Sequence, residues 1–122
     1  MSIEGTWRSR YEYTQGADNT PHISEHQVTF SHENNMWVGQ STAQPDGSQL
    51  TITLSQNGST FSGAWLEHTS PTGDYQGREF RGLLLLLQNN EDRLEGKWLG
   101  ESQTTHTVKV GEWTLRRMET EG

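Results

Sequence analysis

Tyrosine and glutamate side chains alternate with tryptophans in two segments of the chain. Trp7, Ser9, Tyr11 and Tyr13 occupy alternate positions of the first segment, and Glu67 stands two residues after Trp65 in the second. Residues i and i+2 of a β-strand point to the same face, so each polar group would lie beside an indole. Burying an unpaired carboxylate is costly, and we therefore expect these groups to form a hydrogen-bonded network or to meet a ligand.

A histidine joins these groups, because His26 shares the apolar face of its own segment with Val28 and Phe30. Hydrogen-bonding groups at one end of an aromatic cavity are typical of a ligand pocket; the alternative is a rim that contacts water. Two indoles would enclose a flat, partly polar ligand between them, and Tyr75, in the loop of residues 70–77, would gate the mouth. The predicted ligand-binding residues are Tyr11, Tyr13, His26, Trp65, Glu67, Tyr75, Arg81 and Trp98.

The sequence offers little support for catalysis or metal binding. His22 and His26 share a strand face but lie roughly 13 Å apart at ~3.3 Å per residue, too far to bridge one metal ion. The chain has no cysteine, which excludes thiolate ligands and disulfides, and we find no nucleophile-elbow, phosphate-loop or zinc-protease motif. A His26/Glu67 acid–base pair would suit an isomerase or cyclase, which stays open as an alternative. We predict a binding module rather than an enzyme, with no catalytic residue, metal or cofactor assigned.

The elements that must position these groups are strands. Apolar and polar residues alternate through most of the chain, and no window shows the helical period. Asn57-Gly58 predicts a type I′ hairpin turn, which needs two positive φ values, and Gly111 predicts a bulge in the last strand. The alternation predicts eight strands, over residues 5–14, 22–31, 36–42, 50–54, 60–69, 78–88, 94–101 and 104–118.

Eight short strands joined by hairpin-sized turns would leave two exposed edges in an open sheet, so closure into a barrel is favoured. The predicted fold is all-β: a single eight-stranded antiparallel up-and-down barrel with essentially no helix, one domain over residues 1–122. An eight-stranded sandwich is the alternative. The orientation of the sixth strand stays open, since either Arg81 with Leu83 or Phe80 with Gly82 would point inward.

A Gly-x-Trp unit recurs through the predicted strands. Each glycine would empty a space beside an indole on the same face, so that large rings fit inside a narrow barrel. The tryptophans would then serve either as core or as the lining of a cavity. The units are Gly5/Trp7, Gly63/Trp65, Gly96/Trp98 and Gly111/Trp113, with Trp37/Gly39 in reverse order.

Composition narrows the classes of partner. The chain has 122 residues, 29% of them apolar, and a formal net charge of −7; five tryptophans at ordered spacings argue against disorder. The acidic charge argues against duplex nucleic acid. The longest apolar run, the five leucines at 83–87, is far too short for a membrane helix, and the N-terminal residues do not resemble a secretory signal. We expect a cytoplasmic domain with no membrane partner, and a possible homodimer through the strand between Phe80 and Gln88 that covers outward leucines.

Gly5-Thr6-Trp7 near the start of the chain and Arg116 or Arg117 near its end resemble the signature of the calycin (lipocalin-like) superfamily. The resemblance implies a barrel of the lipocalin/avidin type in which the arginine packs across the first-strand tryptophan and closes one end. Arg117 shares parity with Trp113, and we therefore favour it over Arg116.

A longer resemblance runs from the segment GTWRSRYEY at residue 5 through TSPTGDYQG at residue 69 to GKWLG at residue 96 and GEW at residue 111. Together these segments are similar to a barrel domain attached to bacterial, notably actinobacterial, helix-turn-helix regulators, which implies a sensor role. We therefore predict a small-molecule-binding barrel that acts as a sensor or carrier.

A looser resemblance connects the chain to the cyclic-dinucleotide-sensing barrel of antiphage effectors. It implies an alternative function, the binding of a cyclic oligonucleotide. Basic side chains would then have to converge on phosphates. The candidates are Arg8, Arg10, Arg78, Arg81 and Lys97.

Overall fold

The protein, seen in a computed structural model, is described over residues 2–14, 21–42, 47–72, 77–102 and 106–118. These ranges contain no helix, and hence none long and apolar enough to cross a membrane. The strands are β1 (Gly5–Thr14), β2 (Pro21–Glu33), β3 (Met36–Ser41), β4 (Gln49–Asn57), β5 (Thr60–His68), β6 (Glu79–Asn90), β7 (Arg93–Ser102) and β8 (Thr107–Arg117).

The eight strands form a closed antiparallel barrel, as predicted. Each strand pairs with the next one in the chain, and β8 returns to pair with β1. The alternation of apolar and polar residues in the sequence follows from this closure, because each strand has one face toward the barrel interior and one toward solvent. The sandwich alternative is therefore wrong.

Closure between β1 and β8 is incomplete along its length. Their ladder joins Trp7–Tyr11 to Trp113–Arg117, five residue pairs, although β1 continues to Thr14 and β8 begins at Thr107. By contrast, β1 pairs with β2 from Gly5 to Thr14. The ladder thus ends at Tyr11 and Trp113, and we call the stretch of β1 and β8 beyond this pair the seam.

Two local predictions were wrong. The hairpin between β4 and β5 is present, but Asn57 pairs with Thr60, so the loop residues are Gly58 and Ser59. Gly58 has φ +64°, which suits a turn with glycine at its first central position. The loop with two positive φ values is instead Asn34 and Asn35, at 51° and 65°.

The bulge predicted at Gly111 is also absent. The β7–β8 ladder runs without a shift through the Trp98–Gly111 pair. The irregularity lies in β6, between Gln88 and Asn90. Gly111 serves another purpose: a Cβ placed there would lie 2.2 Å from Nε1 of Trp98 and 2.4 Å from the carbonyl oxygen of Glu12. Glycine is needed because the indole bridges the seam at this point.

One end of the barrel, which we call the closed end, is held by an arginine. The guanidinium carbon of Arg117 lies 4.4 Å from the ring centroid of Trp7, which confirms the predicted contact. Its NH1 and NH2 groups donate to the carbonyl oxygens of Glu4 and Ser2, both at 2.7 Å, and its Nε donates to that of Glu91 at 3.1 Å. The arginine therefore ties the segment before β1 to the β6–β7 turn.

The opposite end, which we call the mouth, carries Tyr11 and Glu67 on its inner face. The up-and-down order places the connections of residues 34–35, 58–59 and 91–92 at the closed end. The remaining strand ends lie at the mouth: Thr14 and Pro21, Ser41 and Gln49, His68 and Glu79, and Ser102 and Thr107. Tyr75, between β5 and β6 in the sequence, lies outside the described residues.

The orientation of β6 is settled by burial. Leu84 and Leu86 are buried, whereas Leu83, Leu85 and Leu87 are exposed, so Phe80 and Gly82 share the inner face. On the outer face, Leu83 pairs with Leu99, and Leu99 pairs with Val110. All three side chains are exposed. An apolar surface thus extends over β6, β7 and β8. The homodimer through the strand between Phe80 and Gln88 stays a prediction, which sedimentation velocity can test.

Replacing Arg117 by Ala should lower the free energy of unfolding by about 2 kcal/mol, because three carbonyl groups lose a charged donor and Trp7 loses a cation. Urea denaturation measures the change. Arg116→Ala is the matched control: Arg116 is exposed and pairs in register with Arg8 and Arg93, so its loss should change stability by less than about 0.5 kcal/mol. Equal effects of the two variants would contradict the role of Arg117.

Candidate functional site

The barrel interior is built around five tryptophans whose indole N–H groups all find acceptors. Four of the five donate to an oxygen of another strand, and Trp7 donates to the segment that precedes its own strand. These bonds fix both the position and the tilt of each ring. The pairs are Trp7 with the Ile3 carbonyl (2.9 Å), Trp37 with Oε1 of Gln56 (3.0 Å), Trp65 with the Leu99 carbonyl (3.2 Å), Trp98 with the Glu12 carbonyl (2.9 Å) and Trp113 with Oγ of Ser9 (2.7 Å).

Glycines make room for some of these rings, but none of them stands in the predicted Gly-x-Trp unit of the ring that it accommodates. A Cβ at Gly100 would lie 2.8 Å from Cζ2 of Trp65, and one at Gly82 would lie 2.8 Å from its Nε1. At Gly82, and likewise at Gly63 and Gly96, a Cβ would also lie 1.8 Å from a backbone carbonyl oxygen of the adjacent strand. Gly63 and Gly96 permit a close approach of strands and not of a ring, so the proposed space beside an indole does not apply to them.

Trp65, Trp98 and Trp113 form what we call the indole layer across the barrel. Trp65 contacts Trp98 edge to face, with ring centroids 5.8 Å apart and planes at 86°. It also contacts Trp113, with centroids 6.2 Å apart. A ligand ring enclosed between two indoles needs parallel faces, so the predicted enclosure between Trp65 and Trp98 is wrong. The indole layer is a floor rather than a slot.

A hydroxyl–carboxylate pair spans the interior on the mouth side of the indole layer. The hydroxyl of Tyr11, on β1, donates to the Glu67 carboxylate, on β5, at 2.8 Å from Oε2 and 3.0 Å from Oε1. Strands one and five are four places apart in a ring of eight, so this bond crosses the barrel from one wall to the opposite wall. The Tyr11 ring also lies 4.7 Å from that of Trp113 between centroids, which joins the pair to the floor.

Further aromatic and polar groups surround this pair. The rings of His26 and Tyr11 are stacked, with centroids 5.8 Å apart and planes within 2°. Tyr13 lies one step closer to the mouth and stacks on His22, with centroids 5.5 Å apart. These four aromatic side chains come from the adjacent strands β1 and β2. The mouth is therefore polar but lined by ring faces.

Burial distinguishes the two halves of the barrel. Inward side chains at the closed end, such as Phe30, Leu94 and Leu115, are almost fully buried. Several inward side chains of the mouth are only partly buried, although Tyr11, Ser41 and Leu50 are buried there. The partly buried ones are Tyr13, His22, Ser24, His26, Glu67 and Phe80. The mouth thus has solvent access that the closed end lacks.

The electrostatic environment of the mouth keeps its tyrosines protonated. Burial, and then the negative charge of Glu67, raise the pKa of Tyr11 well above its ordinary value; a hydrogen bond with Ser24 acts in the opposite direction. Burial and Glu67 also raise the pKa of Tyr13. Both hydroxyls therefore stay protonated over the whole physiological range, and that of Tyr11 donates its single hydrogen to Glu67.

A cavity of about 300 Å³ adjoins the cluster where the seam opens. Tyr13 and Trp98 line it on the side of the mouth, and Lys109 and Glu112 line it on β8. Its volume is at the lower end of the range for small-molecule sites. The seam therefore offers a space next to Tyr13, which neither Tyr11 nor Glu67 lines.

The structure brings together four predicted site residues, Tyr11, Tyr13, His26 and Glu67, with the two indoles below them. Arg81 does not join them: its side chain is 76% exposed on the outer face and forms an ion pair with Glu79 at 3.3 Å. Trp113 and Ser24 were missed in the list of predicted site residues. The sequence indicates their inward direction, since Trp113 shares a strand face with Leu115 and Ser24 shares one with His26. Strand register was needed to place them beside Tyr11.

The basic residues that a cyclic oligonucleotide would need do not converge. Arg8, Arg10, Arg78 and Arg81 are exposed, and Lys97 pairs with Glu112 at 3.1 Å on the outer face. Within the described ranges, no three His, Asp or Glu side chains gather in a group able to hold a metal ion. The chemistry of the mouth is therefore that of a carboxylate with hydroxyl and imidazole groups.

Comparisons with known proteins bear on the fold. No protein-family model matches the chain, and no curated protein matches it. Among solved structures it is similar to a redesigned beta barrel, with a TM-score of 0.60, 15% sequence identity and coverage of 96% of this chain and 92% of that one. At this identity the similarity shows the small barrel fold alone.

The free energy of unfolding should fall as pH rises above the ordinary tyrosine pKa of 10.0. Unfolded tyrosines release their protons there while Tyr11 keeps its own, so the unfolded state is favoured by up to about 1.4 kcal/mol per pH unit for such a group. Tyr11→Phe should show a smaller difference between pH 9 and pH 11 in urea denaturation. An unchanged difference in the variant would show that Tyr11 is not the group responsible.

Proposed function

We propose that this chain is a small-molecule-binding barrel that acts as a sensor or carrier module. The site is the mouth: Tyr11, Tyr13, His26 and Glu67 contact the ligand, and Trp65 and Trp98 form part of the floor. The observation that carries the proposal is the Tyr11–Glu67 pair, a carboxylate and a hydroxyl that cross a partly open lumen directly above packed indoles.

The position of this pair is hard to explain by stability alone. Replacing a buried polar pair with apolar groups of similar size is often neutral or stabilising. The closed end of this same barrel is filled mostly by apolar side chains such as Phe30 and Leu94, although Gln88 is also buried there. Apolar side chains could therefore fill the mouth of this fold at a lower cost in free energy. Polar groups that converge above an aromatic floor are instead the usual composition of a ligand site.

The sensor part of the proposal rests on the resemblance to barrel domains attached to bacterial regulators. A calycin-type relationship, also proposed here, is supported by the contact of Arg117 with Trp7 across the closed end. One closed end and one polar mouth is an arrangement that suits a cup-shaped binding module. A cytoplasmic location remains part of the proposal.

Native mass spectrometry of protein purified without denaturation tests the proposal. The wild type should carry a fraction with added mass from a bound small molecule, and the double variant Tyr11→Phe/Glu67→Gln should lose it. Glu25→Gln is the matched control, because Glu25 is exposed on the outer face of β2, and it should keep the added mass.

A compound lost during purification would be found by a second measurement. A library of small aromatic fragments, with cationic, neutral and anionic members, is added at millimolar concentration to ¹⁵N-labelled protein. At least one fragment should shift the amide signals of Tyr11, His26 and Glu67. A bare wild-type mass together with no shifts at these amides would contradict the proposed function.

A further inference from the structure

The Glu67 carboxylate has an incomplete set of partners within the described chain. The Tyr11 hydroxyl is its hydrogen-bond donor there, and no described Lys, Arg or His nitrogen forms an ion pair with it within 4.0 Å. A carboxylate can accept about four hydrogen bonds. Most of its accepting capacity therefore remains for water or for a bound molecule.

A carboxylate without a cation is costly in this position. Glu67 is only partly exposed, and its neighbours across the lumen include the rings of Tyr11 and Tyr13. Surroundings of low polarity penalise an isolated charge, and a cation that hydrogen-bonds to it removes much of that penalty. The site thus favours a ligand that brings positive charge and N–H donors.

The rings around Glu67 favour the same class of ligand. The faces of Tyr and Trp rings attract cations placed over them, and the mouth presents Tyr11 and Tyr13 with Trp113 and Trp98 below. The chain carries a formal net charge of −7, which raises the local concentration of cations and opposes the approach of anions.

We propose that the mouth binds a flat organic cation, such as an amidinium, a guanidinium or a protonated heterocyclic amine, whose N–H groups donate to the Glu67 carboxylate. This inference rests on the proposed function, since it specifies the ligand of the same site. The cation stacks its flat face on the ring of Tyr13, which is less buried than that of Tyr11. An anionic ligand is the opposite case, because its charge would face that of Glu67.

Three probes of similar size but different charge test the proposal: benzamidinium, benzamide and benzoate. Isothermal titration calorimetry gives the affinities, and amide shifts in ¹⁵N-labelled protein give the location. Benzamidinium should bind at least about tenfold more tightly than benzamide, with shifts at Tyr11 and Glu67, because it adds a charge-assisted bond. Benzoate should bind more weakly than either.

The variants separate the role of Glu67 from a general effect of charge. Glu67→Gln should abolish the preference for benzamidinium over benzamide, whereas Glu25→Gln, which removes the same charge from the outer face, should keep it. If Glu67→Gln does not fold, the order of the three affinities for the wild type still tests the cation preference.

The outcomes distinguish this inference from the proposed function. Benzamide or benzoate binding at the mouth as tightly as benzamidinium would overturn the cation preference and leave small-molecule binding intact. Benzamidinium binding only elsewhere, for instance at exposed Glu25, would overturn the inference as well. No shift at the mouth with any of the three probes, together with a bare mass for the native protein, would overturn both.

Discussion

Five indoles share the interior of one narrow barrel, and each has an N–H group that must find an acceptor. This constraint governs much of the structure. Trp98 reaches the Glu12 carbonyl only because Gly111 has no side chain and the β1–β8 ladder has ended. Trp65 reaches the Leu99 carbonyl past Gly82 and Gly100. Each satisfied donor locks a ring, and the locked rings divide the barrel into two compartments.

The two compartments have different chemistry. The closed end is mostly apolar and buried, with Arg117 across Trp7 and hydrogen bonds to the chain on either side. The mouth holds the Tyr11–Glu67 pair, and several of its inward side chains are only partly buried. Stability is therefore supplied mainly below the indole layer, which leaves the groups above it free to be chosen for binding. The Tyr11–Glu67 bond serves both stability and binding, since it connects opposite walls of the barrel and places a carboxylate in the lumen.

Much of this architecture could be predicted from the sequence, because period-two alternation and turn residues report directly on strands and closure. The inward face of β6 could not, since five consecutive leucines satisfy either orientation until burial of Leu84 and Leu86 decides. Clustering of Tyr11, His26 and Glu67 followed from parity, but the bond across the lumen depends on strand order. The tilt of the rings could not be predicted from the sequence pattern, because nothing in the spacing of Trp65 and Trp98 indicates that they meet edge to face.

A crystal structure of the benzamidinium complex tests the central claim, a fixed indole floor beneath a cation-binding mouth, most directly. The amidinium nitrogens should lie within hydrogen-bond distance of the Glu67 carboxylate, while the indole of Trp98 still donates to the carbonyl of Glu12. A complex in which the indoles separate to admit the ring, or in which the probe occupies the outer leucine surface and the mouth holds only water, would contradict it.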